Sequence, residues 1–115
     1  MDNSRFNDLL ANTIQIVTST LSKKASEYAG PKDRLHNFKI AASLANSTPE
    51  MALRGMMAKH IVSVWDLVQD RENEIGHHVA IWDEKLIDSI NYLILLRALV
   101  HEEEPIESPF QEVKP

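Results

Sequence analysis

At 115 residues and 13.1 kDa, with 43% hydrophobic residues, the chain has the size of one domain and enough apolar content to fold. A net charge of -5 excludes a general affinity for nucleic-acid backbone, which needs clustered Lys and Arg, but leaves room for a local basic pocket that takes one small anion. With no cysteine, disulfides, Cys-zinc centres and thiol nucleophiles are excluded.

The segment Met1 to Arg5 has no basic stretch followed by an apolar one, so it does not read as a secretory signal. No stretch reaches the roughly 18 uninterrupted apolar residues of a membrane span. The longest candidate, Leu86 to Val100, carries Asp88, Asn91 and Arg97. The expectation is a soluble, cytoplasmic protein with no membrane partner.

The first predicted helix starts after a cap at Asn3 or Ser4. Phe6, Leu10, Ile14, Val17, Leu21, Ala25 and Tyr28 recur at spacings of three and four and form one apolar stripe. Gly30-Pro31 ends it. Asp33 caps a short second helix carrying Leu35, Phe38, Ala41, Ala42 and Leu44, which stops at Asn46-Ser47. Thr48-Pro49-Glu50 is a strong start signal: a capping hydroxyl, proline in the first turn and an early acidic residue. The third helix runs to about Arg71 with Leu53, Met57, His60 or Ile61, Val64, Leu67 and Val68 inward, and Glu72 to Gly76 form a polar turn.

The fourth helix starts between Val79 and Asp83 and ends in Glu102-Glu103-Glu104, stopped by Pro105. The last segment, 105–115, has three prolines and spaced apolar residues at Ile106, Phe110 and Val113, so it reads as an extended or disordered tail. No strand alternation and no internal repeat occur. The prediction is all-α: a four-helix, bundle-like single domain over 1–104 with a Pro-rich tail over 105–115.

The fourth helix carries the most information. From Ile81 to Leu96 it is apolar on nearly every face, which marks a helix buried in a core or against another subunit. Leu86, Leu93, Leu96 and Val100 on one face and Ile87, Ile90 and Ile94 on another are more than one small domain covers, so a homo-oligomer is expected. Yet Lys85, Asp88, Asn91 and Tyr92 sit in the same stretch. Lys85 and Asp88 are three apart and Asp88 and Tyr92 four apart, which puts them on one stripe. Buried Lys and Asp are rare unless paired or functional.

The third helix has its own polar stripe, Lys59, Ser63, Asp66 and Asp70. Its plain reading is a solvated face. Helices joined by a short turn pack antiparallel, so this stripe is expected to meet that of the fourth helix. The pairs Asp66 with Asp70 and Glu84 with Asp88 could hold Mg²⁺ between facing helices, as in nucleotide pyrophosphatases of the MazG type. Those enzymes space their acidic residues by three, whereas here the spacing is four and Lys85 intrudes. Mg²⁺ therefore belongs only to that alternative, and no cofactor is expected otherwise. Lys59 and Lys85, joined by Arg34 or Lys39, are the other signal, since amines from facing helices can hold a phosphate. Trp65, Trp82, Tyr28, Tyr92 and Phe38 offer faces for a base to stack, though each tryptophan alone reads more simply as core. His60 reads as a core histidine and His77-His78 as an exposed turn. No Gly-rich phosphate loop, acyl-transfer elbow or His-based metal motif is present.

The order Glu27-Tyr28-Ala29-Gly30, Asn37-Phe38, Lys59-His60, then Trp82-Asp83-Glu84-Lys85 with Asp88 and Asn91-Tyr92, resembles the nucleotide modification associated domain 1 family, small helical proteins common in bacteriophages. The resemblance covers roughly residues 20–97. It departs from the family pattern at Ala29, which interrupts the Tyr-Gly turn, and at His60. It implies a phage context, the host cytoplasm and a link to nucleotides, with Tyr28, Asn37, Phe38, Lys59, Trp82, Lys85, Asp88, Asn91 and Tyr92 as ligand-binding residues. In size and fold class the chain is also similar to small acidic phage proteins that sequester nucleotide immune signals as oligomers. The leading expectation is a non-catalytic nucleotide-binding sponge with no nucleic-acid polymer as partner. The alternatives are a metal-dependent nucleotide pyrophosphatase, a nucleotide-modification accessory and a structural interaction protein.

Overall fold

The side-chain chemistry of the termini sets where each helix begins and ends. The computed structural model describes residues 1–28 and 33–102, with the side chains of 25–28 left aside. The side chain of Tyr28 and the segment 105–115 lie outside the described residues. Four helices occur in order, α1 (Asn3–Tyr28), α2 (His36–Leu44), α3 (Pro49–Glu72) and α4 (Val79–Val100), and the fold is all-α.

Asp2 rather than Asn3 or Ser4 caps α1, its carboxylate accepting from the Arg5 amide at 2.8 Å. The Thr18-Ser19-Thr20 run does not break the helix, because the Thr18 and Thr20 hydroxyls donate to the carbonyls of Ile14 and Ile16, each at 2.8 Å. Asp33 caps the turn ahead of α2 by accepting from the Leu35 amide at 2.9 Å. Thr48 caps α3 as expected, accepting from Met51, with Pro49 in the first turn. The His78 ring nitrogen caps α4 by accepting from Ala80 at 3.0 Å, a role its reading as an exposed turn residue missed.

Both α2 and α3 end in the same hydrogen-bonded motif. After α2, Ser47 donates to Ala42 at 2.9 Å while Asn46 takes the left-handed conformation; after α3, Ile75 donates to Asp70 at 2.8 Å with Glu74 left-handed. Asparagine tolerates that region. Glutamate does so less readily, so the polar turn closes without placing Gly76 where glycine would help most.

α3 and α4 run antiparallel as a hairpin, and its seam can be read outward from the turn. Asp70 meets His77 at 2.7 Å, the Arg71 guanidinium lies 5.9 Å from the Trp82 ring centre, and His60 meets Asp88 and Tyr92. At the far end Leu53 and Leu99 join Phe38 of α2 and Leu35 just ahead of it, with Met57, Tyr92, Leu95 and Leu96 packed around them. Lys39 fastens α2 to the end of α4 through Asp33 at 2.8 Å and Glu102 at 2.6 Å. α1 lies against α4.

The core is small. Among the described residues seven hydrophobic side chains are buried and twenty large ones are exposed, so the chain leaves much apolar surface in water. Of the described side chains of the α1 stripe only Val17 is buried, and Phe6 and Ile14 are 55% and 58% exposed. Val68, expected inward, is also exposed, because α2 covers only the first part of α3. Leu53, with no exposed surface, is the centre of what core there is. Leu53→Ala is expected to cost about 2–5 kcal/mol in urea denaturation, the range for truncating a leucine at a packed site. A loss well under 1 kcal/mol would show that the four-residue core does not carry the fold.

Candidate functional site

The polar stripe of α4 meets α1 and α3 at one junction. Asp88 sits at its centre. Its carboxylate lies 3.9 Å from the Lys24 ammonium of α1 and 3.5 Å from Nδ1 of His60 of α3. The His60 and Tyr92 rings are tilted by 34° with their centres 5.0 Å apart. Lys59 and Lys85 stand close enough for their charges to act on His60. Lys24 and His60 thus face one carboxylate, and the charges of Lys59 and Lys85 act on the same histidine.

The electrostatics follow from this setting. His60 lies below its ordinary pKa of 6.5, first because burial disfavours the charged ring; Asp88 raises it, and Lys59, Lys85 and Lys24 lower it further. Tyr92 is raised, by burial first and then by Asp88, so its hydroxyl stays protonated and able to donate. Neither contact of Asp88 is tight. Partly exposed pairs at such distances contribute about 0–1 kcal/mol, which is weak for a group whose task is to clamp three helices together. The same looseness suits cations that can turn towards an incoming anion.

Two buried polar residues flank the stripe. Ser89 returns its hydroxyl to the Lys85 carbonyl at 2.9 Å. Asn91 is 2% exposed, and neither its amide nitrogen nor its amide oxygen has a hydrogen-bond partner among the described residues. An unmet buried amide costs about 1–3 kcal/mol and in native proteins calls for a specific reason.

The other candidates are distributed as follows. Phe38 is a core residue against Leu35, Leu53 and Leu99, and Asn37 is exposed on α2. Trp82 lies near the hairpin turn with Arg71 over its ring, away from Asp88. Lys59 is exposed and Lys85 half-buried, and neither pairs with a carboxylate among the described residues. Lys85 and Asp88, three apart on one helix, do not pair: Asp88 turns to α1 and α3 instead. Arg34 and Lys39 are not spare cations either, since Arg34 donates to the Leu21 carbonyl at 2.7 Å and Lys39 is held by Asp33 and Glu102. The carboxylates Asp66, Asp70, Glu84 and Asp88 are not gathered. Asp70 turns to His77 and Asp88 to Lys24 and His60, and among the described residues no three His, Asp or Glu side chains group as metal ligands.

Two members of the site escaped the sequence reading. His60 was legible in principle, because in an antiparallel hairpin it lies as far back from the turn as Asp88 and Tyr92 lie beyond it. Lys24 was not, since nothing local ties the end of α1 to the middle of α4.

A histidine whose native pKa is lowered is held neutral by the fold. It contributes stability fully above pH 6.5, and that contribution is lost as pH falls from 6.5 towards the native value. NMR titration of His60 should therefore give a pKa below 6.5. In Asp88→Asn it should fall further, since the one charge that raises it is gone. A value that stays put or rises in that variant contradicts the arrangement.

No family model matches the chain, and neither a curated protein nor a solved structure does so.

Proposed function

We propose that this protein is a non-catalytic binder of an anionic, nucleotide-class ligand, held at the junction of α1, α3 and α4 within a homo-oligomer. The observation that carries this reading is the pairing of Lys24 and His60 with the single carboxylate of Asp88, with the charges of Lys59 and Lys85 acting on the same His60. A phosphate entering there displaces Asp88 as the partner of Lys24 and His60 and reaches Lys59 and Lys85, which have no ion pair among the described residues. Charge-assisted hydrogen bonds of that kind contribute about 1.5–3 kcal/mol each. Tyr92 supplies an aromatic face and a hydroxyl donor beside them. Self-association is supported by the apolar surface that the subunit leaves uncovered.

The narrower reading, sequestration of a cyclic or linear nucleotide immune signal in a phage-infected cell, rests on the sequence resemblance alone. The pyrophosphatase reading draws no support from carboxylates that stand apart. The structural reading makes the Asp88 cluster a device that fixes helix register.

Binding and register separate in one variant. A thermal-shift panel of cyclic and linear nucleotides on the wild type should pick out at least one that raises Tm, as any ligand of the native state must. The same ligand should be recovered unchanged after heat denaturation. Lys85→Ala should bind it about tenfold more weakly or worse while its elution volume on size exclusion stays that of the wild type. Unfolding or dissociation of Lys85→Ala makes the stripe structural, and recovery of a converted product makes the protein an enzyme.

A further inference from the structure

The face of α4 opposite the Asp88 stripe is apolar and largely exposed. At 100° per residue, Ile90 marks its centre, with Leu86, Ile94 and Leu93 beside it. Leu86 and Ile94 are exposed, Leu93 is 53% exposed, and Ile90 and Ile87 are half-buried. The core and ion-pair contacts of α4 leave from the other side, through Asp88, Tyr92, Leu95 and Leu99.

The charges on this outward face are arranged about its centre. Asp83 lies seven residues before Ile90 and Arg97 seven residues after it, both exposed and neither in an ion pair among the described residues. Seven residues is nearly two full turns, so the two lie on the same face as Ile90, about 10 Å to either side. The apolar residues obey the same symmetry: Leu86 and Ile94 are each four away, and Ile87 and Leu93 each three.

We infer that α4 is an isologous interface on which a second copy of this chain docks antiparallel about a two-fold axis at Ile90. That operation puts Asp83 of each copy opposite Arg97 of the other, Leu86 opposite Ile94, and Ile90 against itself. A parallel pairing would set Asp83 against Asp83 and Arg97 against Arg97, which is repulsive at both ends. The face is therefore self-complementary in one direction only, as a two-fold contact requires. It deepens the self-association proposed above and rests on it. The ligand stripe lies on the opposite side of the same helix and stays open in the dimer.

The test uses the full chain, whose lack of cysteine makes single-cysteine probes clean. In sedimentation equilibrium the wild type should associate, D83R and R97D should each dissociate at least tenfold more readily, and the double variant D83R/R97D should recover. Under mild oxidation I90C should form a disulfide-linked dimer and V79C should not, because the two-fold sets Val79 beside His101 of the other copy. Asp83, Arg97 and Val79 are exposed and Ile90 is half-buried, and circular dichroism checks that the helices persist in each variant. Cross-linking of V79C without I90C overturns the antiparallel arrangement. An oligomeric wild type that is indifferent to both charge reversals and yields no I90C dimer overturns this interface while leaving self-association standing. A wild type that stays monomeric overturns both.

Discussion

A helix that turns Tyr92, Leu95 and Leu99 to one side and Leu86, Ile90, Leu93 and Ile94 to the other has more apolar surface than one layer of neighbours can cover. This constraint on α4 governs the rest of the structure. α3 covers its inner face as an antiparallel hairpin partner, and α2 closes the end remote from the turn with Leu35 and Phe38. α1 reaches it through the Lys24 contact and leaves its own first half in water. Each fully buried aliphatic side chain gains about 1.5–3 kcal/mol. The outward row on α4 therefore represents a larger free energy than any ion pair in the subunit.

The polar stripe depends on that packing without contributing much to it. Asp88 meets its partners at 3.5 and 3.9 Å on a partly open surface, so the cluster stabilises little. Burial that would otherwise favour carbon has instead been given to Asn91, whose amide atoms find no partner among the described residues, and to His60, which is held neutral. Weak contacts, unmet polar atoms and nearby cations are the grounds on which the proposed binding site rests. A strut would show short, saturated contacts such as those of Lys39 with Asp33 and Glu102 at the other end of α4.

The fold was largely legible because it is written in local signals. Thr48-Pro49 starts α3 and Asn46 stops α2, and both act through their own backbone neighbours. The apolar period of the first helix was equally plain, yet Phe6, Leu10 and Ile14 remain exposed: periodicity marks which face wants burial, not whether one subunit supplies it. Of the site, Asp88, Tyr92 and Lys85 announced themselves as polar residues in an apolar helix. Their partners did not. The Lys85–Asp88 pair suggested by a spacing of three gives way to Lys24 and His60, contacts that depend on how helices cross. The His77–Asp70 and Arg71–Trp82 contacts were hidden for the same reason.

The central claim is that one helix serves two purposes, gathering a ligand on its inner stripe and a second subunit on its outer one. Native mass spectrometry of the full chain, sprayed from a mixture of cyclic and linear nucleotides, reads both at once. The account predicts an assembly of even subunit number carrying intact nucleotide, its mass equal to the protein plus unmodified ligand. A bare 13.1 kDa monomer at micromolar concentration would contradict it.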